Sequence, residues 1–219
     1  QRVWRSDNRG DAWSAISGDL TTNTNRYELP YFGRVWSLDA MHDNGAMSKY
    51  ATLTTISESP VTEGLLYTGS DDGLIHVSED GGTNWTQASD LPGVPERAFI
   101  NKVEADVHTS GALFALADAH KVGDYTPYLF RSDDNGQSWS SIRGNLPDGE
   151  IGWAIQQDHV DPNLLFLAGE TGLWFTPDGG ASWNKLPGAP TIAFRDVKLQ
   201  RRDGDVVGAT FGRGFYVLD

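Results

Sequence analysis

The chain has no cysteine, which excludes disulfides and thiolate-ligated metals but does not fix a compartment. It has no apolar run approaching the ~20 residues that a membrane-spanning helix requires, so no membrane span is expected. It also lacks a basic stripe. With 17 Lys and Arg against 30 Asp and Glu, the formal net charge is −13, and nothing is available to displace phosphate counterions from a nucleic acid. The nearest basic cluster, Arg201-Arg202, lies between Gln200 and Asp203 and reads as a solvated turn. No leader peptide precedes the first strand-like run, and the chain reads as a mature or shortened piece. No twelve-residue acidic loop of the calcium-binding kind is present, and neither a metal nor a cofactor is expected.

What the chain does have is turns and aromatics: 25 Gly, 10 Pro and 8 Trp in 219 residues, a composition that fits an all-β protein. One octapeptide organises it. Ser132-Asp133-Asp134-Asn135-Gly136-Gln137-Ser138-Trp139 has the form Ser-x-Asp-x-Gly-x-Ser-Trp. It recurs at Thr176–Trp183 with Asp178, at Ser78–Trp85 with Asp80 and with Asn84 in the second hydroxyl slot, and at Ser6–Trp13 with Asn8 for Asp and Ala12 for the hydroxyl. An Asp side chain closes an Asx-type turn onto backbone N–H groups one and two residues ahead, and the Gly supplies a positive φ. Each copy follows an apolar run and ends on a Trp that opens the next strand, so the repeated unit is strand, tight turn, strand. The Trp side chains at 85, 139 and 183 are expected to be buried between sheets.

The tryptophans at 13, 85, 139 and 183 stand 72, 54 and 44 residues apart. The shortest interval is that of a four-stranded propeller blade, and the longer two carry insertions. Residues 1–20 then supply a partial blade of two strands. Residues 34–92, 93–147 and 148–188 supply full blades, and 193–219 supply three strands. The inner strand of the first full blade is either Arg34–Leu38 or Ala51–Ile56, with Met41–Tyr50 as a loop or short helix. The expected fold is thus all-β, an arc of four-stranded antiparallel blades forming part of a larger propeller. Sheet edges left open at either end of the arc are expected to favour association unless further blades or another subunit cover them.

The octapeptides resemble the Asp box, or bacterial neuraminidase repeat, of β-propellers such as sialidases, sortilin-type receptors, xyloglucan-cleaving hydrolases and photosystem II assembly factors. Leu65–Leu74 and Gly208–Asp219 are similar to segments of large secreted bacterial proteins described as glycosyl hydrolases or sortilin-like. The resemblance implies a propeller in a secreted or periplasmic protein, and it carries over no catalytic set. Phe32-Gly33-Arg34-Val35 is not the sialidase Arg-Ile-Pro-type motif, and Tyr27-Glu28 lacks the arginines that would accompany a sialidase nucleophile. Arg5–Gly10 matches a xyloglucan-cleaving segment only faintly and is better explained as the first octapeptide.

Alternating strands sort the loops onto two faces, and the octapeptides (Asn8, Asp80, Asp134, Asp178 with Trp13, Trp85, Trp139, Trp183) share one of them as structural turns. The opposite face gathers the candidate ligand residues Asp71, Asp72, Arg97, Asp118, His120, Asp124, Glu170 and Arg213. Asp118 to Tyr125 is expected to form a long loop there. Tyr31, Trp36, Tyr125 and Trp153 are candidate sugar-stacking surfaces. Two readings stand: solvated loop acids and core aromatics, or paired carboxylates flanking a cleft. His120 beside Asp118 and Asp124 is either a metal or acid–base cluster or a surface histidine. Arg213 either reaches an anionic ligand or bridges blade ends. In function the first reading is a scaffold that binds protein or glycan, and the second is a glycoside hydrolase whose carboxylate pair lies partly outside this chain.

Overall fold

A computed structural model describes residues 1–30, 34–35 and 50–218. Among them the regular structure is all-β, apart from short 3-10 turns. Seventeen strands form five antiparallel sheets of two, four, four, four and three strands. The first sheet pairs β1 (Trp4–Arg5) with β2 (Ser14–Ala15). The second runs in order through β3 (Leu53–Glu58), β4 (Leu66–Ser70), β5 (Ile75–Ser78) and β6 (Thr86–Gln87). The third holds β7 (Phe99–Ala105), β8 (Leu113–Ala119), β9 (Asp124–Ser132) and β10 (Ser140–Ser141). The fourth holds β11 (Gly152–Gln157), β12 (Leu165–Gly169), β13 (Leu173–Thr176) and β14 (Asn184–Lys185). The last holds β15 (Phe194–Leu199), β16 (Val206–Thr210) and β17 (Phe215–Leu218). The sheets do not close on themselves, and the molecule is a partial β-propeller. The inner strand of the second sheet starts at Leu53; Trp36–Leu38 and Met41–Lys49 lie outside the described residues.

The second strand of each complete sheet is buried along its whole length and mostly apolar, as in Leu113–Ala119 and Leu165–Gly169. A strand reads this way when a neighbouring sheet covers each side of it. Three apolar clusters fill the gaps between successive sheets, centred on Tyr67 and Val103, on Leu129, Ile155 and Trp183, and on Phe194 and Val197.

The octapeptide turns differ from expectation in one respect. The Asp does not cap the residues one and two ahead; it reaches four residues on. Asp134 Oδ1 accepts from Ser138 N at 2.8 Å and Asp178 Oδ1 from Ser182 N at 2.8 Å, while each second oxygen takes the serine hydroxyl. The first-position hydroxyl is the hub: Ser132 Oγ donates to Asp134 (2.7 Å) and accepts from Gly136 N (2.9 Å). Ser6, Ser78 and Thr176 repeat that pattern with Asn8, Asp80 and Asp178. The motif's Gly also lets two sheets meet, because a Cβ on Gly180 (φ +99°) would stand 2.6 Å from Ile142 Cβ. Its Trp ties the contact: the indole N–H groups of Trp85, Trp139 and Trp183 donate to the carbonyls of Ile16, Ser89 and Ile142 in the preceding sheet.

Burial of these tryptophans is uneven. Trp183 is 2% exposed, Trp85 and Trp139 are only half-buried, and Trp13, which donates to its own turn at Gly10, is 58% exposed. Of the three tryptophans expected between sheets, Trp183 is thus the most deeply enclosed, and Trp85 and Trp139 are covered in part.

The turn carboxylates have a pH signature. Hydrogen bonds from Ser138 hold the Asp134 carboxyl down at about 2, and those from Ser182 and Thr176 do the same for Asp178. A carboxyl depressed in the folded state adds stability above its ordinary range near 3.8 and loses that contribution as pH falls toward 2. Asp134→Asn with Asp178→Asn should lower stability at neutral pH and flatten its fall between about pH 4 and 2. Thermal melts across that window measure it; an unchanged acid limb would remove the two turns as its source.

Candidate functional site

Each innermost strand carries one extra residue at the same place. Against its neighbour, β3 bulges at Thr54, β7 at Asn101, β11 at Trp153 and β15 at Arg195. A bulge leaves its residue outside the ladder and re-aims the side chain. Thr54 Oγ1 donates to Ile100 O at 2.7 Å and Asn101 Nδ2 to Gly152 O at 2.8 Å, so each bulge reaches toward the next sheet. Trp153 and Arg195 continue the row, with the Arg195 guanidinium carbon 3.6 Å from the Trp153 ring centre.

A second row runs beside it. One residue beyond the end of β4 and of β12 come Asp71 and Glu170, and Asp118 stands in register with them near the end of β8, paired with Phe99. The two rows enclose a cleft of about 470 Å³, lined by Asn101, Trp153 and Arg195 from the bulges, by Asp118 and Glu170, and by the His120–Tyr125 hairpin.

Within it the polar groups are tightly arranged. Asp118, almost fully buried, accepts from His120 N (2.9 Å) and sits 2.5 Å from His120 Nδ1. Nδ1 is thereby taken up by the carboxylate, and the His120 ring lines the cleft. The His120 ring meets Trp153 edge-on at 6.3 Å, and Trp153 Nε1 donates to Glu170 Oε2 at 2.8 Å. Behind Glu170, the buried Glu150 accepts from Thr171 N at 3.0 Å and from its hydroxyl. Tyr125 stands 55% exposed at the rim.

The remaining candidates are distributed more widely. Asp118–Tyr125 is not a long loop: β8 runs to Ala119, β9 begins at Asp124 and pairs with it, and a 3-10 turn at His120–Val122 joins them. Asp124 does not join Asp118 and His120. It accepts from Tyr128 Oη (2.7 Å) and Thr126 N (2.9 Å), which together hold its carboxyl below the usual range. Asp71 accepts from Thr52 N at 2.6 Å, and burial nonetheless pushes its carboxyl up. Asp72 is buried and latches the amino-terminal segment, accepting from Thr22 N (2.8 Å), Thr22 Oγ1 (2.7 Å) and Ser70 Oγ (2.5 Å). It borders a separate cavity of about 380 Å³ with the exposed Arg97. Arg213 lies in the exposed β16–β17 turn, away from the cleft lining. Tyr31 and Trp36 fall outside the described residues. Among the described residues no group of three His, Asp or Glu side chains converges as a metal site.

Arg195, Asn101 and Lys121 escaped the sequence reading. A broken alternation marks the bulges: the core-facing residues of β7 and β15 are Ile100, Val103 and Ala105, and Phe194, Val197 and Leu199, with a spacing of three before the spacing of two.

No protein-family model matches the chain. A xyloglucanase from Hypocrea jecorina is 24% identical over 234 residues, covering 99% of this chain, and one from a Paenibacillus species is 26% identical over 149 residues, covering 58%. The chain spans only 26% and 14% of those proteins. An ancestral GH74 enzyme superposes over 98% of this chain and 26% of its own, with a TM-score of 0.62 at 15% identity. YCF48 from Cyanidioschyzon merolae superposes over 77% of this chain and 53% of its own, at a TM-score of 0.55 and 18% identity. The chain shares its fold with these propellers. No helix among the described residues is long and apolar enough to cross a membrane.

Proposed function

We propose that this chain is the glycan-binding part of a secreted or periplasmic, glycoside-hydrolase-like β-propeller of the Asp-box kind. The observation that carries the reading is the row of bulges, which aims Asn101, Trp153 and Arg195 into one cleft beside Asp118, His120 and Glu170. Irregular strands cost ladder bonds, and a row of them facing one cleft is the pattern of a site built on a rigid scaffold. The xyloglucanase relatives support a carbohydrate as the ligand class. Tyr125 and Trp153 supply aromatic walls, and the cleft polar groups supply donors and acceptors for hydroxyls.

The geometry favours binding over cleavage by this chain alone. Asp118 is held by His120 and Glu170 by Trp153, so neither carboxylate is poised toward an open position beside a free partner. Glycosidic hydrolysis needs one acid and one base or nucleophile on opposite sides of the scissile bond. A cleaving propeller would therefore draw at least one carboxylate from residues beyond this chain.

Electrophoresis through gels containing xyloglucan or other soluble polysaccharides tests both parts. The chain should be retarded by at least one glycan. Tyr125→Ala should weaken that binding about tenfold, the equivalent of ~1.4 kcal/mol, with unchanged thermal stability. Absence of retardation by every glycan would defeat the binding reading, and release of reducing ends by this chain would establish hydrolysis in its place.

A further inference from the structure

Resting on the glycan-binding reading, we infer that the cleft selects a carboxylate-bearing glycan, one containing uronic-acid sugars, with Arg195 and Lys121 as its anion-recognising pair. In a chain of net charge −13, two cations line this one cleft, and among the described residues neither side chain enters an ion pair or donates a hydrogen bond. Both are held over aromatic rings. Arg195 lies 3.6 Å from the Trp153 ring centre and 5.2 Å from that of Phe211, and Lys121 Nζ is 4.8 Å from the Phe99 ring centre. Stacking fixes a guanidinium by its faces and leaves its edge of N–H donors open, the geometry that receives a carboxylate through two parallel hydrogen bonds.

Two carboxylates, Asp118 and Glu170, line the same cleft, so what sets the cations apart is not a net positive charge but a guanidinium edge and an ammonium with no ion-pair partner among the described residues. Asp118 is engaged by His120, and Glu170 accepts from the Trp153 indole. Asp196, beside Arg195 in sequence, accepts from Val197 N at 2.9 Å. Asp71 feels the Lys121 charge, which offsets part of the effect of burial on its carboxyl, but the two form no ion pair. Among the described residues, the cleft's unpartnered cationic donors are therefore a guanidinium edge and an ammonium, beside the unpartnered acceptors Glu170 Oε1 and Asn101 Oδ1. A neutral sugar can meet that guanidinium edge only through hydroxyls, whereas a sugar carboxylate meets it through two charge-assisted hydrogen bonds, with Lys121 Nζ as a second cation in the same lining.

The test is titration calorimetry of the intact chain with an oligogalacturonide, a neutral xyloglucan oligosaccharide and poly-glutamate, at 20 mM and 500 mM salt. The acidic oligosaccharide should bind at least tenfold more tightly than the neutral one, with affinity falling as salt rises. Arg195→Ala should erase the preference. Arg195 and Lys121 are both exposed, so circular dichroism should confirm folded variants, and Lys121→Gln gives an independent second variant with a partial loss. Neutral oligosaccharide binding as tightly as acidic would overturn the inference while leaving the glycan reading intact. Poly-glutamate binding as tightly as the oligogalacturonide would overturn it as unspecific anion attraction. Binding of no sugar at all would defeat both readings.

Discussion

Replacing Trp183 with Ala should lower the unfolding free energy by about 3–5 kcal/mol, the cost of deleting a buried large aromatic and leaving a cavity. Trp183 is enclosed by Phe114, Leu116, Leu129, Ile142, Ile155, Leu165 and Leu167, drawn from two adjacent sheets. Its indole N–H donates to Ile142 O at 2.8 Å, and its backbone exchanges hydrogen bonds with Asn145 at 2.6 and 3.1 Å. Truncation therefore removes apolar contact and also strands a buried carbonyl. Trp85 and Trp139 make the same indole bond but are half-buried, and their Ala variants should cost about 1–2 kcal/mol by their smaller buried area. Trp13→Ala should stay within about 0.5 kcal/mol, as expected for an exposed position. Urea melts of the four variants with a common m-value would establish the order. Equal losses at all four sites would show that burial between sheets is not what sets the cost.

The octapeptide explains why so much of the fold could be read beforehand. Four copies with fixed Gly and Trp positions locate four turns, and apolar runs on either side supply the strands. A turn made by local hydrogen bonds is encoded within eight residues, so Ser132, Asp134, Gly136 and Trp139 carry their geometry with them. The hub role of the first hydroxyl was less visible, because a Ser is equally at home in any turn.

The cleft is a different kind of object. Asp118, His120 and Glu170 stood out as polar residues in strand-to-strand connections, but nothing local says that Glu170 meets Trp153 seventeen positions earlier, or that Arg195 stacks on that ring from the next sheet. Those meetings depend on the register of four separate inner strands. Asp124 shows the converse: it adjoins His120 in sequence yet turns to Tyr128, because the hairpin carries successive side chains to opposite faces. Trp burial depends in the same way on distant residues: Trp13 and Trp183 occupy the same motif position, but only Trp183 has a described neighbouring sheet closing fully over it.

Asp106→Ala should also cost about 3–5 kcal/mol, because it breaks a buried charge junction and leaves its donors unpaired. Asp106 is 1% exposed and follows the last residue of β7. One oxygen accepts from His108 N at 2.8 Å and Thr109 N at 2.9 Å, which folds the turn toward β8. The other faces Arg131 Nη1 from β9 at 3.0 Å and accepts Gln157 Nε2 from β11 at 2.9 Å. Gln157 completes the link by accepting Val107 N at 2.7 Å, so this single carboxylate joins two sheets through three elements. Removing it strands two backbone N–H groups, an amide and a guanidinium, of which only Arg131 has a second acid, Asp133, at 2.8 Å. Asp106→Asn separates the contributions. Its amide oxygen can still cap His108 and Thr109, but its NH2 would point at the Arg131 and Gln157 donors, so a substantial part of the loss should remain. Denaturant melts of both variants with Arg131→Ala and the Asp106→Ala/Arg131→Ala double variant give the coupling between the pair. Independent, additive losses, or a cost below about 1 kcal/mol for Asp106→Ala, would mean that the Asp106 junction is not what holds these two sheets together.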